Sequence, residues 1–197
     1  MPHLSDFLRI AITPPDPFPG EWEIITLLLR SNDADLIHLR HPEYSEDTLR
    51  RILMNIPEEL MQNITLHDHF RLLNDFPVGG IHLNSRNPSL PSGLDLNHVR
   101  ISRSCHSISE VKECQANERL HYSYVTLSPI FNSISKPGYN ASFNLKEIEC
   151  EISGINLPVI ALGGVTESKF PLLKSIGFRG AAMLGAYFPA DTKQQER

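Results

Sequence analysis

The chain has 197 residues and 41% hydrophobic content, enough for one globular core with no bias toward disorder. A formal charge of −5 and a pI near 6.0, with Lys and Arg scattered, argue against nucleic acid as a partner and leave small anionic ligands open. Cys105, Cys114 and Cys150 form no CxxC motif, apolar runs such as Ile24 to Leu29 fall far short of the ~18 residues a membrane span needs, and Met-Pro-His-Leu-Ser-Asp lacks a secretory pattern, so a cytoplasmic protein with no membrane partner is expected.

Short apolar runs rich in β-branched residues predict strands over Leu8–Thr13, Asp35–Arg40, Asn63–His67, Gly80–Asn84, Val99–Ser104, Tyr122–Leu127, Pro158–Gly163 and Gly180–Gly185. Between them, helical spacing of apolar residues predicts helices over Trp22–Arg30, Ser45–Asn55, Ser107–Ala116, Leu145–Ser153 and Glu167–Ile176. Ser45 before Glu46-Asp47 and Thr166 before Glu167 supply capping oxygens and negative charge at two helix starts. His69 to Phe76 leaves room for about two turns. Ser85 to Asn97, with Pro88, Pro91 and Gly93, predicts an abbreviated or degenerate fourth helix.

Alternating strands and helices of this kind specify a parallel α/β fold, and eight units suggest one short (β/α)₈ TIM barrel over 1–197, with about 190–197 a tail. The rival is an open doubly wound sheet, but no GxGxxG or GxxxxGK[ST] follows an early strand. In a barrel, the C-terminal strand ends carry the chemistry. There the sequence places His38 and Arg40 on one face of the second strand, His67 and Asp68 after the third, His82 and Asn84 on the fourth, and Ser104 and His106 on the fifth. A single histidine at a strand end is usually structural, whereas four strands ending in polar residues point to a polar pocket. Gly163-Gly164 after the seventh strand and Gly185 after the eighth outline a phosphate cup.

Ser128 to Gly138 places Ser133, Ser135 and Lys136 after an apolar strand, as in a loop that holds an anion. Taken in order, Ile64 to Asn87, Ser104-Cys105-His106-Ser107, Ser128 to Lys136 and Val159 to Ala186 resemble the successive motifs of the family of thiamin phosphate synthase and thiazole tautomerase. The resemblance implies a transferase that joins hydroxymethylpyrimidine diphosphate to thiazole phosphate, with Mg2+ and a dissociative, cation-like transition state. It puts the family's Gln-x-Arg-x-Lys motif on His38, Arg40 and Pro42, keeping only the arginine. The family's Asn-Asp falls on His67-Asp68, and its second metal carboxylate falls on Asn87, so Asp68 and Asn87 are the implied magnesium ligands. Ser104, Arg40 and Lys136 would hold diphosphate, with His38 and His67 beside them. Ser133, Ser135, Gly163, Gly164, Leu184 and Gly185 would take the thiazole phosphate, and His106 matches a proton-transfer histidine.

Two further readings stay open at this point. A thiazole phosphate tautomerase needs the phosphate cup and His106 but no metal, since an unperturbed histidine titrates near ~6.5 and moves protons at neutral pH. A non-catalytic thiazole phosphate binder needs the cup alone. Cys105, next to His106, points to the opposite face and is expected in the core. A histidine metal site is a last option, with His67 and His69 two apart but no third histidine at an evident ligand spacing. A homodimer is left open.

Overall fold

The computed structural model describes residues 6–16, 18–132, 143–184 and 186–188. Strands β1 (Leu8–Ile12), β2 (Leu36–Leu39), β3 (Ile64–Leu66), β4 (Gly80–Leu83), β5 (Arg100–Cys105), β6 (Tyr124–Leu127), β7 (Val159–Leu162) and β8 (Gly180–Leu184) pair in sequence order into a closed parallel barrel. The register of β1 against β8, from Leu8 beside Gly180 to Ile12 beside Leu184, is the closure that an open sheet lacks. The protein is therefore a (β/α)₈ barrel.

Side chains alternate across each strand, and this period of two divides the core. Leu8, Ile10, Ile12, Leu36, Tyr124, Ile160 and Ala182 pack together inside the barrel. Ala11, Ile37, Leu39, Ile81, Val125 and Ala161 belong to the outer clusters. Cys105 lies outward as expected, fully buried, with its Sγ 3.9 Å from that of Cys114.

Helices α1 (Glu21–Arg30), α2 (Glu46–Asn55), α3 (Ile108–Gln115), α4 (Leu145–Ile152) and α5 (Phe170–Ile176) connect the strands. In α2 the buried Leu49 and Leu53 are four apart and face the core, while Ser45 Oγ accepts from the Thr48 N–H at 3.2 Å. Such a cap contributes about 1 kcal/mol. Thr166 departs from expectation: its hydroxyl meets Ser168 Oγ at 2.9 Å and caps nothing. There the chain makes a 3₁₀ turn over Glu167–Lys169 before α5, whose first turn contains Pro171, a residue with no N–H to cap. Between β3 and β4 a 3₁₀ turn over Phe70–Asn74 replaces a helix, and between β4 and β5 no helix forms. These short connections leave the rim above β3 and β4 to side chains of the loops themselves.

Candidate active site

The lumen turns polar toward the C-terminal ends of β2 to β6. His38 on β2 is fully buried, with Nδ1 2.9 Å from His67 Nε2 and Nε2 2.7 Å from the Tyr124 hydroxyl. His82 on β4 has Nδ1 2.8 Å from Ser102 Oγ and Nε2 2.8 Å from Ser104 Oγ. Ser102 donates its own proton to the Ile81 carbonyl at 3.2 Å, so it accepts from His82 Nδ1–H and leaves Nε2 as the acceptor for Ser104. Burial holds His38 and His67 well below the usual histidine range and lowers His82 to about 3, with neighbouring positive charge adding to the effect on the first two. All three rings are neutral at physiological pH. Burial likewise raises the Tyr124 hydroxyl, which stays protonated.

Above this floor stands a charged rim. Arg40 follows β2, and its backbone N–H donates to Thr13 Oγ1 at 2.9 Å. Thr13 in turn meets His41 Nε2 at 3.2 Å, and His41 is buried against Glu21 at 2.5 Å and stacked on Tyr44 at 4.2 Å. Arg40 is thus fixed from outside the barrel by a buried relay that begins on α1. Burial and the nearby Arg86 lower the Arg40 pKa, and Asp68 opposes them. Arg86 reaches both oxygens of Asp68, at 3.4 and 3.3 Å. Asn87 Nδ2 donates to Asp68 Oδ1 at 2.8 Å and to the His67 carbonyl at 2.9 Å. The turn carrying both residues is held by Asn84 Oδ1, which accepts the Arg86 and Asn87 N–H groups at 3.0 and 3.1 Å.

Floor and rim enclose a cavity of about 180 Å³, onto which His38, Arg40, His67, Arg86, Ser104 and His106 all face. A larger cavity of about 480 Å³, reached by Phe7, Lys174 and Arg179, lies at the N-terminal end of the strands, the face that in barrels serves stability.

The profile of the thiamine monophosphate synthase family matches residues 11–195. The chain belongs to this family. The thiamine-phosphate synthase of Listeria welshimeri is 29% identical over 135 residues, which take in 66% of this chain and 62% of that protein. That of Syntrophomonas wolfei is 21% identical over 166 residues, 83% of this chain and 79% of that one. The crystal structure of thiamine phosphate pyrophosphorylase from Bacteroides thetaiotaomicron superposes with a TM-score of 0.79 at 34% identity, covering 97% of this chain and 90% of that one. Family and relatives put the chain among the transferases of thiamin biosynthesis.

Of the residues expected at the synthase site, His38, Arg40, His67, Ser104 and His106 converge on the one cavity. His106 sits exposed at its mouth, donating from Nδ1 to the Ser128 carbonyl at 3.2 Å, which leaves Nε2 as a proton acceptor. Gly163 and Gly164 adopt positive φ, at 94° and 59°, and Gly164 lies so close to the Asn132 carbonyl that a Cβ would collide with it. Close packing of the loop after β7 against the segment after β6 therefore requires these glycines, and Lys169 Nζ bonds the Gly164 carbonyl at 2.5 Å. Leu184 is exposed at the end of β8. Ser133, Ser135, Lys136 and Gly185 lie outside the described residues.

Asp68 supplies the hard oxygen that magnesium favours, whereas Asn87 does not supply a second. Its amide nitrogen faces two oxygens at once, Asp68 Oδ1 and the His67 carbonyl, which fixes a donor and not an acceptor toward the carboxylate. The histidine grouping also differs from the spacing argument. His69, with φ 52°, turns its Nε2 to the Tyr44 carbonyl at 2.7 Å, and the third histidine beside His38 and His67 is His82. Arg86 and Tyr124 join the site although no strand-end position or motif points to them. Tyr124 leaves a signal in the sequence, as the one aromatic residue of an otherwise aliphatic strand with Thr126 at the same parity.

Proposed function

We propose that the chain condenses hydroxymethylpyrimidine diphosphate with thiazole phosphate to give thiamin phosphate and pyrophosphate at the cavity over β2 to β5. The observation that carries this reading is the pair of guanidinium groups, Arg40 and Arg86, on the rim of a cavity whose floor is neutral. A diphosphate leaving group needs positive charge at its oxygens, and the two guanidinium groups supply it.

In the reaction, the bond from the pyrimidine methylene carbon to the diphosphate oxygen breaks, and its electron pair leaves with pyrophosphate. The thiazole nitrogen then gives its lone pair to that carbon. Arg40, held by the Thr13 and His41 relay, and Arg86, released from Asp68, take up the charge developing on the leaving group. Each such stabiliser is worth roughly 3 kcal/mol, or on the order of a hundredfold in rate. His67, on the cavity lining, offers the pyrimidine a neutral hydrogen-bonding group, and His38 and Tyr124 hold its ring from below. Lys136 adds a further cation at the diphosphate, and Ser133, Ser135, Gly163, Gly164 and the Leu184-Gly185 turn receive the thiazole phosphate, as the resemblance implies.

Asp68 is the residue that would hold magnesium, which when bound offsets negative charge on the diphosphate. Among the described residues no helix is long and apolar enough to cross a membrane, and the partners in this reading are the two phosphorylated heterocycles. Incubation with both substrates and magnesium, followed by chromatography, tests the assignment. Thiamin phosphate is expected, and no product above a protein-free control overturns it.

A further inference from the structure

We propose that His38, His67 and His82 form a binding site for a divalent late transition-metal ion of the zinc and cobalt class, distinct from any magnesium at Asp68. One ring nitrogen from each histidine lies within 4.8 Å of the other two, and all three residues are buried. Three imidazoles around a tetrahedral ion place their nitrogens ~3.4 Å apart, given metal–nitrogen bonds of ~2.0–2.1 Å. The 2.9 Å between His38 Nδ1 and His67 Nε2 needs to open only slightly, with the ion replacing the proton between them. Nitrogen donors select zinc and its neighbours over magnesium, which prefers oxygen.

Two of the three far nitrogens are anchored as ligating histidines require. His38 Nε2 bonds the Tyr124 hydroxyl at 2.7 Å, which turns Nδ1 inward. His82 Nδ1 donates to Ser102, which turns Nε2 toward the cavity, where it accepts from Ser104. With His38 Nε2–H donating to the Tyr124 hydroxyl, the proton between His38 and His67 sits on His67 Nε2, and on metal binding it moves to His67 Nδ1, so the charge of the site rises only by that of the ion. The fourth position opens on the cavity below Arg40. There the ion would take water or a phosphate oxygen, and that last part rests on the proposed function.

The test is a titration of the chelator-treated full chain with Co2+ alone. One equivalent is expected to bind with the intense visible absorption of four-coordinate cobalt, and Zn2+ to displace it. His67→Asn and His38→Gln keep a polar, hydrogen-bonding side chain and are expected to weaken binding by at least about 100-fold, the upper range for losing even an outer partner of a ligand. Circular dichroism identifies which variants fold. Should both unfold, His82→Asn and Ser102→Ala carry the same comparison. No stoichiometric binding by the folded wild-type chain, or binding unchanged in every folded variant, overturns the proposal. Cobalt binding in a chain that makes no thiamin phosphate would overturn the synthase reading and leave this site standing.

Discussion

The side-chain nitrogen of Asn87 lies 2.8 Å from Oδ1 of Asp68, so the residue standing where a second carboxylate is implied has become a hydrogen-bond donor to the first. Arg86 completes the substitution by pairing with the same carboxylate. Negative charge at this rim is halved, and two positive groups, Arg40 and Arg86, now flank what is left.

Asn87→Asp restores the second carboxylate. The magnesium concentration giving half-maximal activity should fall about tenfold, equivalent to ~1.4 kcal/mol. Initial rates against magnesium check this, and an unchanged midpoint would show that residue 87 does not face the ion.

Arg40→Ala and Arg86→Ala should each lower kcat/KM for the pyrimidine diphosphate by about a hundredfold, leaving the fold intact by circular dichroism. Arg40→Lys should recover only part, because one ammonium replaces a planar fork. Wild-type rates in all three variants would remove the guanidinium groups from the mechanism.

The buried pair of Glu21 and His41, with side chains 5% and 1% exposed, positions Arg40 through Thr13. Removing one partner of a buried hydrogen bond costs ~1–3 kcal/mol, because the other is left unsatisfied. Glu21→Ala should therefore lower the free energy of unfolding by ~1–3 kcal/mol in urea titrations and raise KM for the diphosphate in the fraction that folds.

Acid stability follows from the floor histidines. His82 is lowered to about 3 in the folded chain, against ~6.5 unfolded, so below pH ~6.5 the unfolded chain binds a proton that the native one refuses. In chelator, stability should be flat in this respect above pH ~6.5 and fall as pH drops, by up to ~1.4 kcal/mol per pH unit for each such histidine. Urea midpoints between pH 7.5 and 5 check the slope, which His82→Gln should reduce.

Much of this was legible in the chain itself, for identifiable reasons. The β-branched runs gave all eight strands, and period-two alternation correctly put His38 with Arg40 inside and Cys105 outside. Strand-end position marked the polar floor. Arg86, and the donor role of Asn87 in place of the implied ligand role, escaped because their orientation is set by an Asn84-centred turn in a segment with no periodicity. The Glu21 and His41 relay escaped because its members lie 20 residues apart and meet only when β1, β2 and α1 close together. The failed cap at Thr166 reflects a local competitor, the Ser168 hydroxyl two residues on.

Condensation at a cavity ringed by Arg40 and Arg86 is read out by pyrophosphate release from hydroxymethylpyrimidine diphosphate, followed with and without thiazole phosphate. Release is expected in step with thiamin phosphate formation, one for one, and nearly absent in Arg40→Ala. Release without thiamin phosphate, or turnover indifferent to Arg40, would contradict it.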